Sequence, residues 1–192
     1  EQFERSGGGY RLSSEARAVG LAAVLARGQS WRRESRGQVD GTALRPALFV
    51  DQRGNQPAQR ARFDWTARRV VFERVTPGGE EAAGEAPLPE AALDRLSFPY
   101  ALAMLPLPEM EWDIAITDGR RLTPYRYRVV ARETVQVPAG TFDTVHVARV
   151  PGRDESGADL WVSRSPSPVP VRIRVRETDG ALFEQTLLSL NR

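Results

Sequence analysis

His146 is the one histidine in this 192-residue chain, so a histidine-based metal cluster or a Ser-His-Asp relay would rest on that single side chain. It alternates with Val145 and Val147. A strand there puts the imidazole on the face opposite both valines, with Asp143 and Glu133 as the carboxylates available to pair with it. No nucleophile is recruited by any pattern in the chain. There is no Gly-x-Ser-x-Gly, no His-Glu-x-x-His and no calcium loop. The adjacent carboxylates Glu80-Glu81 and Asp154-Glu155 fall in predicted loops, where nothing sets one as acid and the other as base. Gly7-Gly8-Gly9 lacks the lysine and helix start of a phosphate cradle and reads as a turn. The chain has no cysteine, which removes thiol chemistry and disulfides. All of its 27 basic side chains are arginines, which removes Schiff-base chemistry and a P-loop lysine. The sequence therefore predicts no catalytic residues, no metal ligands and no cofactor, and a protein that is not an enzyme.

Arginine is the remaining chemistry. Arg126, Arg128 and Arg132 recur at strand spacing on one predicted face, and Arg172, Arg174 and Arg176 on another. If the faces coincide, Arg126, Arg128, Arg172 and Arg174 form an anion-attracting patch suited to lipid headgroups or acidic polymers. The alternative is a solvated sheet face offset by Glu133, Asp159, Glu177 and Glu184 in cross-strand pairs. The 25 acidic residues are interspersed with the basic ones and the net charge is +2, which argues against a nucleic-acid partner. No run approaches the roughly 18 apolar residues of a transmembrane helix.

The elements that carry these residues are mostly strands. Residues 121–190 read as five in a row, with Tyr125, Tyr127, Val129 and Ala131 opposite the arginines of the first. A turn follows at Pro138-Ala139-Gly140, and Thr178-Asp179-Gly180 is a hairpin signal. Further strands are expected at 10–18, 47–52, 60–65, 69–74 and 111–117, with an exposed or edge strand at 29–39. Residues 20–27 are an apolar run that fits a short helix or a buried strand. Residues 77–87 are acidic and Gly/Ala-rich, the composition of a flexible loop. Residues 89–105 read as an amphipathic helical segment, kinked at Pro99, with Ser97 able to restart it as an N-cap. At this length one β-rich domain over 1–192 is expected to bury an adequate core.

Several words in fixed order carry a resemblance. They are Phe63-Asp64-Trp65, Leu93-Asp94-Arg95-Leu96-Ser97, residues 138–146 (PAGTFDTVH), Leu160-Trp161-Val162, residues 168–174 (PVPVRIR), Asp179-Gly180 and residues 183–187 (FEQTL). From Tyr10 onward the chain resembles the bacterial domain-of-unknown-function 3108 family. The resemblance implies an exported, periplasmic protein of a Gram-negative envelope with a curved antiparallel sheet like that of LolA/LolB lipoprotein carriers. The fold expected is a curved sheet or half-barrel of about ten strands, with the helical segment on its concave face. Members usually carry a strand before the position of Tyr10, so the short segment 2–5 suggests a start inside the domain. Glu1 fits a matured export product and an arbitrary boundary equally. The implied function is non-catalytic binding of an apolar or amphipathic, lipid-like ligand, with Tyr100, Met104, Tyr125, Tyr127 and Trp161 as candidate lining residues. The alternative is a protein-interaction or envelope-sensing domain that uses an open sheet edge or the arginine face, and a hydrolase is a minor one. Ligand, partner and oligomeric state are not written in the sequence.

Overall fold

The computed structural model describes residues 1–17, 30–108, 110–152 and 155–190. The apolar run at 20–27 and Asp154 lie outside the described residues. The first sheet is a seven-stranded antiparallel meander in chain order: β1 (Gln2–Ser6), β2 (Gly9–Arg17), β3 (Ser30–Asp40), β4 (Ala43–Arg53), β5 (Ala58–Asp64), β6 (Arg69–Thr76) and β7 (Gly79–Pro87). The second holds β8 (Ala92–Asp94), β9 (Trp112–Thr117), β10 (Leu122–Val137), β11 (Gly140–Val150), β12 (Gly157–Ser163), β13 (Val169–Arg176) and β14 (Leu182–Thr186), in the order β14-β13-β12-β11-β10-β9-β8. The helix α1 (Ser97–Met104) lies between β8 and β9 in the chain, and those two strands pair in parallel, as strands joined by a crossover do. One sheet curls into a half-barrel.

Among the described residues fourteen strands thus replace the expected ten, and several local readings change. Residues 77–87 contain β7, an edge strand, because pairing with β6 needs backbone groups and not apolar side chains. Residues 2–6 form β1 against β2. β3 is an interior strand between β2 and β4. The helical segment shortens to α1. Upstream of it the Asp94 carboxylate accepts from Leu96 N and Ser97 N at 2.9 and 2.8 Å and caps the helix start. Pro99 falls in the first turn, where its missing N–H is no loss. α1 is apolar all round and not amphipathic, and Phe98, Tyr100, Ala101, Leu102 and Ala103 are all buried.

The described residues also divide into two compact units, Glu1–Phe98 with Ala115–Thr123 and Pro99–Ile114 with Pro124–Arg192. The core of the first follows from register. Leu12, Ser35, Phe49, Ala61 and Phe72 lie opposite one another across β2 to β6, and each is buried. Ser35 is the one polar member of that row. In the second unit Val129, Val147, Leu160 and Ile173 form the equivalent row across β10 to β13.

Candidate functional site

On the opposite face of the second sheet, register assembles a polar surface. One row runs Arg128, Ala148, Asp159, Arg174, Glu184 across β10 to β14, and the next runs Ala131, His146, Trp161, Arg172, Thr186. Trp161 is its centre. The indole is buried, stacks on the His146 ring at 4.3 Å and donates from Nε1 to Glu133 at 2.6 Å. His146 is hydrogen-bonded through Nε2, 2.8 Å from Asp159, while its Nδ1 lies 3.6 Å from Glu133. Asp143 bonds Thr134 instead. The hydroxyls nearby are engaged elsewhere: Thr144 donates to the Glu133 carbonyl and Ser163 to that of Ser165. Among the described residues, no hydroxyl is hydrogen-bonded to this imidazole. Among the described residues no group of three His, Asp or Glu side chains is placed to hold a metal.

The four candidate patch arginines do share this face, interleaved with carboxylates. Arg126 makes a two-bond contact with Asp113 at 2.8 and 3.1 Å, which holds the Asp113 carboxyl below its usual range. Arg174 reaches Glu184 at 2.7 Å, and Arg172 bonds the Gln136 carbonyl. Both guanidinium groups lie over the Trp161 ring, at 5.6 Å for Arg172 and 5.3 Å for Arg174. Arg128 is exposed. Arg132 moves to the other side, opposite Val145, because β10 carries a bulge between Val129 and Ala131 that shifts every later residue by one face.

Of the candidate lining residues, Tyr125 and Tyr127 lie on the sheet face of Val147 and Arg149, and Trp161 lies on the opposite face with His146. Tyr100 is buried in α1 and Met104 is half-buried. Tyr127 is buried with its ring 6.3 Å from that of Trp112. Tyr125 lies 4.0 Å beneath the Arg149 guanidinium, and Arg149 is tied to Glu155 at 2.5 Å. Two concavities within the units are open and polar, one beside Arg149, Glu155 and Arg176, the other beside the Gly7–Gly9 turn and Asp40.

Two features escape residue-by-residue reading. The first is a buried polar chain in the first unit: Tyr10 Oη is 3.0 Å from Ser35 Oγ, which is 2.6 Å from Asp94 Oδ2, where Ser97 Oγ also donates at 2.9 Å. Asp94 ahead of an apolar run is a residue type that caps helices, but nothing in the sequence joins it to Ser35, 59 residues away. Ser35→Ala leaves the Tyr10 hydroxyl and one Asp94 oxygen each short of a partner. It is expected to cost about 1–3 kcal/mol in urea denaturation.

The second feature is the edge formed by β14. Leu187 N bonds the Val171 carbonyl and Glu177 N that of Ala181, so the odd-numbered residues of β14 turn their backbone groups toward β13. Leu182, Glu184 and Thr186 therefore aim theirs away from the sheet, and Leu182 and Phe183 are 52% and 63% exposed. The other edges are guarded. β7 carries Glu80, Glu81 and Glu85 and ends at Pro87, β1 carries Glu4 and Arg5, and β8 is buried.

Two seven-stranded sheets, one of them curled into a half-barrel, define a mainly β protein. Among the described residues no helix is long and apolar enough to cross a membrane. The chain belongs to the family described as "Protein of unknown function (DUF3108)", whose family model matches residues 1–187. No curated protein and no solved structure matches it.

Proposed function

We propose that this chain is a non-catalytic interaction module of the cell envelope, exported to the periplasm, which receives an extended segment of a partner protein along β14. The supporting observation is the edge itself. Outward backbone groups at Leu182, Glu184 and Thr186 supply the main-chain bonds, and exposed Phe183 supplies an apolar anchor on the face of Ile173 and Val175. The exported setting rests on family resemblance.

A second reading, binding of an apolar or amphipathic ligand between a sheet and the helical segment on its concave side, draws on the wholly apolar α1. One experiment separates the two. Thr186→Pro removes an N–H that points away from β13, so the fold is expected to keep its melting temperature within a few degrees while the docking edge is blocked. Isolated from its own envelope, the wild-type chain is expected to retain a protein partner that the Thr186→Pro chain loses. Equal retention by both, or retention of a lipid alone, contradicts docking at β14. The lipid result supports the second reading.

A further inference from the structure

We infer that the Tyr10–Ser35–Asp94–Ser97 cluster is a proton-held latch: with Asp94 neutral it fastens β8 and the start of α1 to β2 and β3, and loss of that proton loosens them. The geometry carries this. Asp94, Ser35 and Ser97 are fully buried and Tyr10 nearly so, each on a different element. The neutral form reverses the Ser35 contact, keeps the two backbone contacts and leaves Ser97 Oγ free to donate to the Asp94 carbonyl oxygen at 3.3 Å. Asp94 Oδ2–H donates to Ser35 Oγ over the short 2.6 Å contact, Ser35 passes its own proton toward Tyr10 Oη, and Oδ1 still accepts from Leu96 N and Ser97 N.

The ionised form reverses the chain, and it then holds a full charge away from water with hydroxyl and amide donors but, among the described residues, no paired cation. The described charged groups nearest to it on neighbouring elements pair elsewhere or face solvent. On β3 and β4, Arg33 and Arg53 close on Asp51 at 3.1 and 3.0 Å. Arg95 carries its side chain to solvent. α1 has no acidic residue in its first turn and no basic one in its last. On β9, Thr117, paired with Asp94 in register, is uncharged, and its hydroxyl accepts from Gly119 N. Burial raises the Asp94 carboxyl above its ordinary value against the lowering effect of its donors. It raises the Tyr10 phenol too, with the Asp94 charge adding to the effect, so Tyr10 stays protonated and never neutralises its neighbour by proton exchange.

The sign of the pH effect follows. The folded chain keeps a proton on Asp94 in a window where the unfolded chain has lost it, so folding is favoured in acid. That advantage is complete below the ordinary carboxylate pKa and is lost as pH rises through the raised folded value. Within the window the unfolding constant of the wild type, relative to that of Asp94→Asn, is expected to rise about tenfold per pH unit, because the amide neither ionises nor loses its bond to Ser35. Urea denaturation of both chains from acid to neutral pH measures that ratio, and a ratio independent of pH overturns the latch. Should Asp94→Asn fail to fold, ¹³C NMR titration of the wild-type side-chain carboxyl decides. A resonance that stays in its acid form above the ordinary carboxylate range supports the latch, and one that titrates at or below that range overturns it.

Discussion

Trp161→Ala is expected to cost about 3–5 kcal/mol, the range for emptying a buried aromatic site. The indole belongs to a small apolar cluster with Val135, Val137 and Val171, against which Phe142, Val169 and Leu187 pack. The same ring is the platform for His146 on one side and lies beneath two guanidinium groups, and its N–H occupies Glu133. Alanine leaves a cavity in that cluster and releases the three polar neighbours from their shared support. Trp161→Phe keeps much of the apolar body and loses the bond to Glu133, an effect of about 1 kcal/mol because Glu133 is half-exposed and regains water. Urea denaturation of the two variants measures the difference. An alanine variant within 1 kcal/mol of the wild type would show that the cluster does not hold this face together.

Gly37→Ala is expected to be as severe for the opposite reason. A Cβ at Gly37 meets the Arg45 carbonyl oxygen at 2.0 Å and backbone atoms of Arg45 and Pro46 at 2.8 Å. None of these is the end of a flexible side chain. The register of β3 and β4 slips by one between Arg36 and Gly37, and the strands close on each other at that bulge. Accommodating a methyl group means parting the strands, and a loss of about 3 kcal/mol or more is expected. Gly41→Ala is the comparison. Its added methyl group meets open space and the penalty is the φ of +61° alone, about 1–2 kcal/mol. Thermal melts that ranked the two equally would mean that the bulge opens freely.

The strands were legible because their side chains alternate, and the five of residues 121–190 appear close to where their pattern puts them. The β7 strand was not, since an edge strand of Glu, Ala and Gly has the composition of a loop and is a strand through its backbone alone. Bulges were equally silent. The one in β10 moves Arg132 across the sheet although the sequence alternates without a break at that point. The His146 environment was half legible. Strand parity placed the ring on the polar face and named Glu133, but Asp159 and Trp161 reach it from β12 through a register that no local signal specifies. Ser97 was read as the helix N-cap, but the structure gives that role to Asp94, and the link to Ser35 and Tyr10 depends on how β2, β3 and β8 come together in three dimensions. The β14 edge was visible only as one half of a hairpin, because being last in a sheet belongs to the topology and not to the five residues.

Docking at β14 is tested most directly by a photo-activatable benzoylphenylalanine placed at position 183 and irradiated in the native envelope. The expected result is a defined protein adduct whose cross-linked peptide is a single extended segment, and which disappears when Thr186→Pro is added. An adduct to lipid, no adduct at all, or the same protein adduct in the Thr186→Pro chain would contradict strand addition at this edge.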